Sequence, residues 1–470
     1  MHERQGKITV VLVRAAVVSA LGGLLFGFDT AVISGTTASL RELWSLNDWR
    51  LGFAVSSALI GTILGTLVFA KPGDVWGRRA TLKLMAVLYF VSAAGCALAW
   101  DYWSLVIFRF IGGLGVGGSS VLAPIYVAEI SPARLRGRLV LLFQYNVCVG
   151  ILLAYLSNAV VASLAMDRLT LEWRVMFGIE CLPAALFWAM LYTIPESPRW
   201  LIGKERFDEA RRVFAVVGET RIEEEMAEIR ASLQVAEHQA VDRLFQRKYW
   251  YPIFLGFFVA AFNQLSFVNG FLYYLNDTLG AIGASFGGKY QPVIVGVANV
   301  IAVTAAMLMI DRIGRKTLLL IGSWGAAIPL LLCAYIVWTR TLIEVFPWSL
   351  AAFILFFSFS QGAVIWVYVS EVFPNRVRAK GQALGSFTHW FLCAVAAQVY
   401  PVIVGLSDNG LGIPFAFGGA MMILQFFVVW FFFIETKGVS LEGMEKRLRI
   451  AKGTTPLVDE TEGGREPQAH

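Results

Sequence analysis

The chain has 470 residues, 57% of them hydrophobic and only 15% charged, with a mean hydropathy of +0.65. That composition excludes an ordinary soluble domain, because too few polar side chains remain to face water. The net charge of +6 does not indicate nucleic acid: of 39 Lys and Arg residues, 23 fall in the five loops on the N-terminal side of the apolar segments.

A helix crosses a bilayer with about 20 mostly apolar residues. Twelve such segments are predicted, at 10–35, 51–71, 81–100, 104–126, 139–162, 174–194, 251–275, 291–311, 317–338, 347–369, 381–405 and 412–434. The first follows a short basic stretch and lacks a small-residue cleavage site, so it reads as a retained helix. Nine further Lys and Arg residues lie in the tails, six in or beside the opposite loops, and Arg109 alone lies inside a segment. This asymmetry follows the positive-inside rule and predicts both termini in the cytoplasm.

The longest polar interval, 195–250, separates six segments from six and contains two charged helical stretches, 205–215 and 221–235. The predicted organisation is a six-helix bundle (1–194), a cytoplasmic helical linker (195–250), a second six-helix bundle (251–434) and a largely disordered cytoplasmic tail (435–470). The five cysteines all fall in predicted spans without metal-ligand spacing, and read as small core residues. A sequon at Asn276-Asp277-Thr278 falls in an outer loop and reads as a chance match.

Three inner-loop signatures recur in the two halves. Asp74, Gly77, Arg78 and Arg79 after segment two match Asp311, Gly314, Arg315 and Lys316 after segment eight, with Arg312 standing at the place of Val75. Glu129 and Arg136 after segment four match Glu371 and Arg378 after segment ten, and Glu196 and Arg199 after segment six match the run beginning at Glu435. The register holds across half the chain, which predicts a duplicated six-span unit of the kind transporters use, with the site between halves. The charges of these loops are expected to pair across the halves and form a cytoplasmic gate.

The motifs together resemble the sugar porter family of the major facilitator superfamily, including bacterial D-xylose:proton symporters and facilitative glucose transporters. The residues that carry the likeness are Gly22–Gly35, Arg109–Gly117, Pro124–Glu129, Pro195–Leu201, Gln264–Asn269, Asp311–Lys316 and Glu435–Gly438, nearly the whole chain. The resemblance implies an all-α membrane protein: twelve transmembrane helices in two pseudo-symmetric six-helix bundles rocking about a central site.

Ionisable residues well inside the spans are few: Asp29, Arg109 and Glu180. At about 1.5 Å per residue they fall at one depth, roughly 8–10 Å below the outer edge. Buried charges are costly and are usually paired or face a cavity. A static ion pair orienting three helices is one reading; the resemblance implies the other, a proton-coupling cluster. Uniporters of the family commonly lack a carboxylate at the position of Asp29, which favours symport.

The second half carries neutral amides instead: Asn263, Gln264 and Asn269 on segment seven, Asn299 on eight and Gln361 on ten, with His389 on eleven and Gln144 on five. Amides donate and accept, as a hydroxyl-rich ligand requires, and Phe26, Tyr273, Trp366 and Trp390 can lie against the C–H face of a sugar ring. The resemblance assigns sugar contact to Gln144, Gln264, Asn269, Asn299 and Trp366. The chain departs from the family pattern at Asn263, at Phe267 (a glycine in relatives), at Gln361 (Trp or Pro), at His389 (an amide) and in the first loop at Pro72 and Val75. For His389, helix packing, hydrogen bonding to substrate and titration all stay open.

The expectation is a monomeric sugar:proton symporter in a bacterial cytoplasmic membrane, taking a pentose, a hexose or a polyol. Its partners are the neutral sugar, the proton as coupling ion and the lipid bilayer, with no nucleic acid and no cofactor. A facilitative uniporter and a non-transporting sugar sensor on the same scaffold are the alternatives. No catalytic triad, nucleotide loop or metal spacing stands out, so an enzyme is not expected.

Overall fold

The computed structural model describes residues 9–437 apart from 165, 239–242, 284–287 and 375. Among the described residues, twelve helical runs are long and apolar enough to cross a membrane. They are α1 (Val10–Gly35), α2 (Asp48–Val68), α3 (Arg78–Ala97), α4 (Tyr102–Ile130), α5 (Leu139–Ser163) and α6 (Leu169–Met190). The second six are α7 (Arg247–Tyr273), α8 (Gln291–Ile310), α9 (Arg315–Thr339), α10 (Ile343–Val372), α11 (Arg378–Val404) and α12 (Gly412–Phe432). Each predicted segment overlaps one of them.

The ends differ from hydropathy where a cap decides. Asn47 Oδ1 accepts the Arg50 N–H at 2.8 Å, so α2 starts before its apolar run. A capping box starts α4: the Ser104 N–H donates to Asp101 Oδ1 at 2.7 Å and the Asp101 N–H to Ser104 Oγ at 3.1 Å. In the linker, helices Phe207–Val217 and Ile222–His238 match the two charged stretches. A third, Pro198–Gly203, was not expected; Ser197 Oγ caps it by accepting the Trp200 N–H at 3.2 Å. The tail from residue 438 onward lies outside the described residues.

The two sets of six pack by one scheme. In the first, α1 lies on α5, α2 on α4 and α3 on α6; in the second, α7 lies on α11, α8 on α10 and α9 on α12. Small residues bring the first-half pairs close, as is usual where lipid gives no hydrophobic drive to association. A Cβ at Gly27 would lie 1.9 Å from the Val147 carbonyl oxygen of α5, and one at Gly113 would lie 1.9 Å from that of Ala58 on α2.

Between the halves, α2 meets α11 and α5 meets α8, again equivalent pairs. The bonds joining the halves sit at the end away from the start of α1 and the linker. Ser56 Oγ donates to Gln398 Oε1 at 2.8 Å, Gln398 Nε2 to the Trp49 carbonyl at 3.0 Å, and Tyr155 OH to the Leu272 carbonyl at 3.0 Å. The sequon is engaged here too: Ser34 Oγ donates to Asn276 Oδ1 at 3.3 Å, and Thr278 Oγ1 lies 2.7 Å from Tyr400 OH.

Three spans are interrupted where polar residues collect. α6 breaks at Glu180, because Pro183 has no N–H to offer the carbonyl of Ile179. α7 breaks after Leu265, and Phe267 sits there at φ +61°, a left-handed conformation costly for a bulky residue. The Phe267 ring is held against Phe417 at 5.6 Å and Tyr400 at 6.5 Å. α10 contains a π turn at Ser358–Gly362.

Candidate functional site

α1 and α4 bring the first charged group together. Arg109 Nη1 donates to Asp29 Oδ1 at 2.5 Å and to the Asp29 carbonyl at 3.3 Å. The Arg109 side chain is 0% exposed and that of Asp29 8%. The other guanidinium donors, Nε and Nη2, are buried without a partner. Glu180, at the break of α6, is buried within electrostatic reach of both but forms no ion pair with either. The three residues come together in the fold, and only two of them are bonded.

A second group forms across α7, α10 and α11. Gln264 is its centre: its Nε2 donates to Asn263 Oδ1 at 2.9 Å and lies 3.3 Å from both ring nitrogens of His389. Asn269 Nδ2 donates to Gln264 Oε1 at 2.9 Å. The break of α7 makes this last bond, because it brings Asn269 back towards Gln264. Ring centroids of Trp366 and His389 are 5.0 Å apart, and those of His389 and Trp390 are 4.9 Å apart. Trp366 is 36% exposed, whereas Gln264, His389 and Trp390 beside it are buried. The result is an amide, imidazole and indole surface, suited to hydroxyl groups above and C–H faces alongside.

α1 connects the two groups. Phe26 stands about one turn before Asp29, and its ring lies 5.5 Å from that of Trp390. Tyr273, buried at the end of α7, comes close to Thr30, the residue after Asp29. Two further residues lie apart from the hydrogen-bonded cluster: Asn299 is buried on α8 without a bond to it, and Gln144 on α5 lies against Cys148 of its own helix. Gln361 turns away altogether, and its Nε2 donates to Gln425 Oε1 of α12. Gln425 is not among the residues singled out from the sequence, although a lone amide inside an apolar span is a visible signal.

At the end nearest the linker the loop charges pair within each half, as a gate that is open on that face would leave them. Arg78 grips Glu129 through Nε at 2.9 Å and Nη2 at 3.0 Å, and pairs with Asp74 at 2.9 Å. Arg315 grips Glu371 at 3.0 Å in the second half. Glu196 accepts the Arg79 N–H at 3.1 Å, and Glu435 accepts those of Arg315 and Lys316 at 2.9 and 3.1 Å. These pairs close within one half, not across the two. The reason is local: the carboxylates reach the orphan N–H groups opening α3 and α9, at Gly77 (φ +101°) and Gly314 (φ +97°). Burial pushes the Glu196 carboxyl up from its ordinary value, while the backbone donors pull it down.

The remaining loop residues are satisfied locally. Arg199 Nη2 donates to Ser232 Oγ at 3.5 Å, Arg378 Nε to the Phe373 carbonyl at 3.3 Å, and Lys437 Nζ to the Arg312 carbonyl at 2.5 Å. The side chains of Arg136 and Asp311 lie outside the described residues. The halves differ in one respect among the described residues: Ser197 Oγ donates to Glu129 Oε2 at 2.5 Å, whereas the matching Thr436 Oγ1 and Glu371 Oε2 are buried without a hydrogen-bond partner there.

The family described as Sugar (and other) transporter matches residues 15–448. The D-xylose-proton symporter of Escherichia coli (strain K12) is 36% identical over 465 residues, covering 91% of this chain and 94% of that one. The arabinose-proton symporter of Bacillus subtilis (strain 168) is 34% identical over 446 residues, covering 93% and 94%. Among solved structures, the inward open conformation of the xylose transporter XylE from E. coli superposes with a TM-score of 0.82 at 34% identity, covering 93% and 99%. The proton:xylose symporter XylE bound to 6-bromo-6-deoxy-D-glucose, described as a major facilitator superfamily protein, gives 0.77 at 34% identity, with 93% and 99% covered. These likenesses bear out the two-bundle major facilitator fold.

Proposed function

The chain belongs to the sugar transporter family, a family of membrane carriers and not of enzymes, and from that premise we propose that it imports a neutral sugar with a proton by alternating access. The names of its relatives, a D-xylose-proton symporter and an arabinose-proton symporter, support a pentose or hexose as the class of substrate. The basic inner loops support an orientation with both termini in the cytoplasm, and the bacterial relatives support a cytoplasmic membrane. We read the carrier as a monomer that uses no cofactor beyond the coupling proton.

The observation that carries the reading is the buried Asp29–Arg109 pair, about one helical turn from the Phe26 ring that meets Trp390. A proton arriving on Asp29 turns an ion pair into a neutral carboxyl beside a cation. The guanidinium then has two unpartnered donors and a second carboxylate, Glu180, within electrostatic reach. Shifting α1 by that exchange moves Phe26 against Trp390, and so changes the walls of the amide cluster. The membrane potential contributes about 2.3 kcal/mol per 100 mV for each charge carried inward.

The test is an uptake-competition panel with purified protein in proteoliposomes under an inward proton gradient. D-xylose, L-arabinose, D-glucose and an inositol serve as competitors. Gradient-driven accumulation of at least one is the expected result. A protein that moves none of them is not a sugar carrier.

A further inference from the structure

We propose that the buried amide pair Gln361–Gln425 positions the sugar site: it clamps the π turn of α10 to α12 and so sets where Trp366 stands. The proposal rests on the reading of the chain as a sugar carrier. It concerns two residues that no part of the amide cluster touches.

A π turn adds one residue to a helix and so rotates every following side chain by about 100°. In α10 the turn spans Ser358–Gly362, and Trp366 comes about one helical turn after it. The turn is held from two sides. Towards α9, Ser360 fits against Gly322, where a Cβ would lie 1.7 Å from Ser360 Oγ. Towards α12, Gln361 Nε2 donates to Gln425 Oε1.

Both glutamines are 1% exposed. Among the described residues the complementary atoms, Gln361 Oε1 and Gln425 Nε2, have no partner. The two amides therefore have only each other, and a small rotation closes the second bond of a ring. Breaking such a pair on one side leaves an orphan amide in a dry site, whereas replacing both sides with similar shapes is nearly neutral for stability. Gln361 is bonded to α12 and not to the amide cluster. Its influence on sugar must pass through the register of α10, whose Trp366 ring stands 5.0 Å from His389. Simple interhelical glue would make the same bond, so the two roles are separated by what each does to substrate affinity.

The experiment uses the purified full chain in proteoliposomes, with D-xylose and D-glucose as probes. KM, kcat and Tm are measured for Gln361→Met, Gln425→Met and the double variant. The single variants are expected to raise KM about tenfold with kcat changed less. The double variant is expected to recover Tm while keeping the raised KM, and it serves even if a single variant fails to fold. In a Trp366→Ala background, Gln425→Met is expected to add nothing to KM, because the pair acts through that ring. KM that recovers together with Tm, or effects that add in full in the Trp366→Ala background, would overturn the positioning role. Wild-type protein that moves neither sugar would overturn the carrier reading beneath it.

Discussion

Arg109 donates through Nη1 to Asp29 Oδ1 at 2.5 Å, and it is the fully buried partner of the two. Such a pair is weak evidence for stability, but losing one member is severe because the other stays buried and charged. Arg109→Met is therefore expected to lower stability by about 3–5 kcal/mol. Asp29→Asn keeps a hydrogen-bond acceptor and is expected to cost less. Thermal unfolding in detergent compares them; equal stability of the two variants would show that Asp29 is not held by this charge.

Gly77 and Gly314 occupy matching places before α3 and α9, at φ/ψ of +101°/158° and +97°/157°. Only glycine adopts that region readily. A Cβ there would also lie 2.5 Å from a carboxylate oxygen of Glu196 or of Glu435. Gly77→Ala and Gly314→Ala are each expected to cost on the order of 1–3 kcal/mol. Similar losses of Tm from both sites would confirm that the duplicated loops use one device.

Glu196 offers a pH test at the inner face. Burial pushes its carboxyl up from the ordinary 4.5, so the folded chain holds this proton more tightly than the unfolded one. Its stabilising contribution is then complete below the unfolded value and fades as pH rises through the folded value. Glu196→Gln is expected to flatten the dependence of Tm on pH just above 4.5. A variant whose Tm changes with pH as the wild type's does would remove Glu196 from that window.

His389 sits within 3.3 Å of Gln264 and beside two indoles, inside the proposed sugar site. His389→Gln restores an amide with a different set of donors and acceptors. It is expected to reorder the preference among D-xylose, L-arabinose and D-glucose in competition assays while uphill uptake persists. An unchanged ranking would leave His389 a packing residue.

The twelve spans were readable because apolar runs of bilayer length have few alternatives, and the duplication was readable because its loop charges repeat in register. That Asp29, Arg109 and Glu180 come near one another was legible from helix rise alone. What hydropathy could not supply was direction. Gln361 looked like a cavity residue, but the π turn at Ser358–Gly362 changes the register that a 3.6-residue period assumes, and the side chain meets Gln425 instead. The loop carboxylates Glu196 and Glu435 looked like partners for the opposite half. The left-handed-side glycines beside them expose backbone N–H groups nearer at hand. Phe267 was visible as a departure from a family glycine, and only the structure shows it keeping a glycine-like backbone by packing its ring.

Coupling through Asp29 is the centre of the account, and sugar-evoked alkalinisation outside weakly buffered proteoliposomes measures it most directly. Wild-type protein is predicted to take up a proton with each sugar. Asp29→Asn is predicted to abolish both the alkalinisation and uphill accumulation while leaving sugar exchange between the two sides. Alkalinisation and pH-driven accumulation that persist in Asp29→Asn would contradict the account and leave the Asp29–Arg109 pair a strut between α1 and α4.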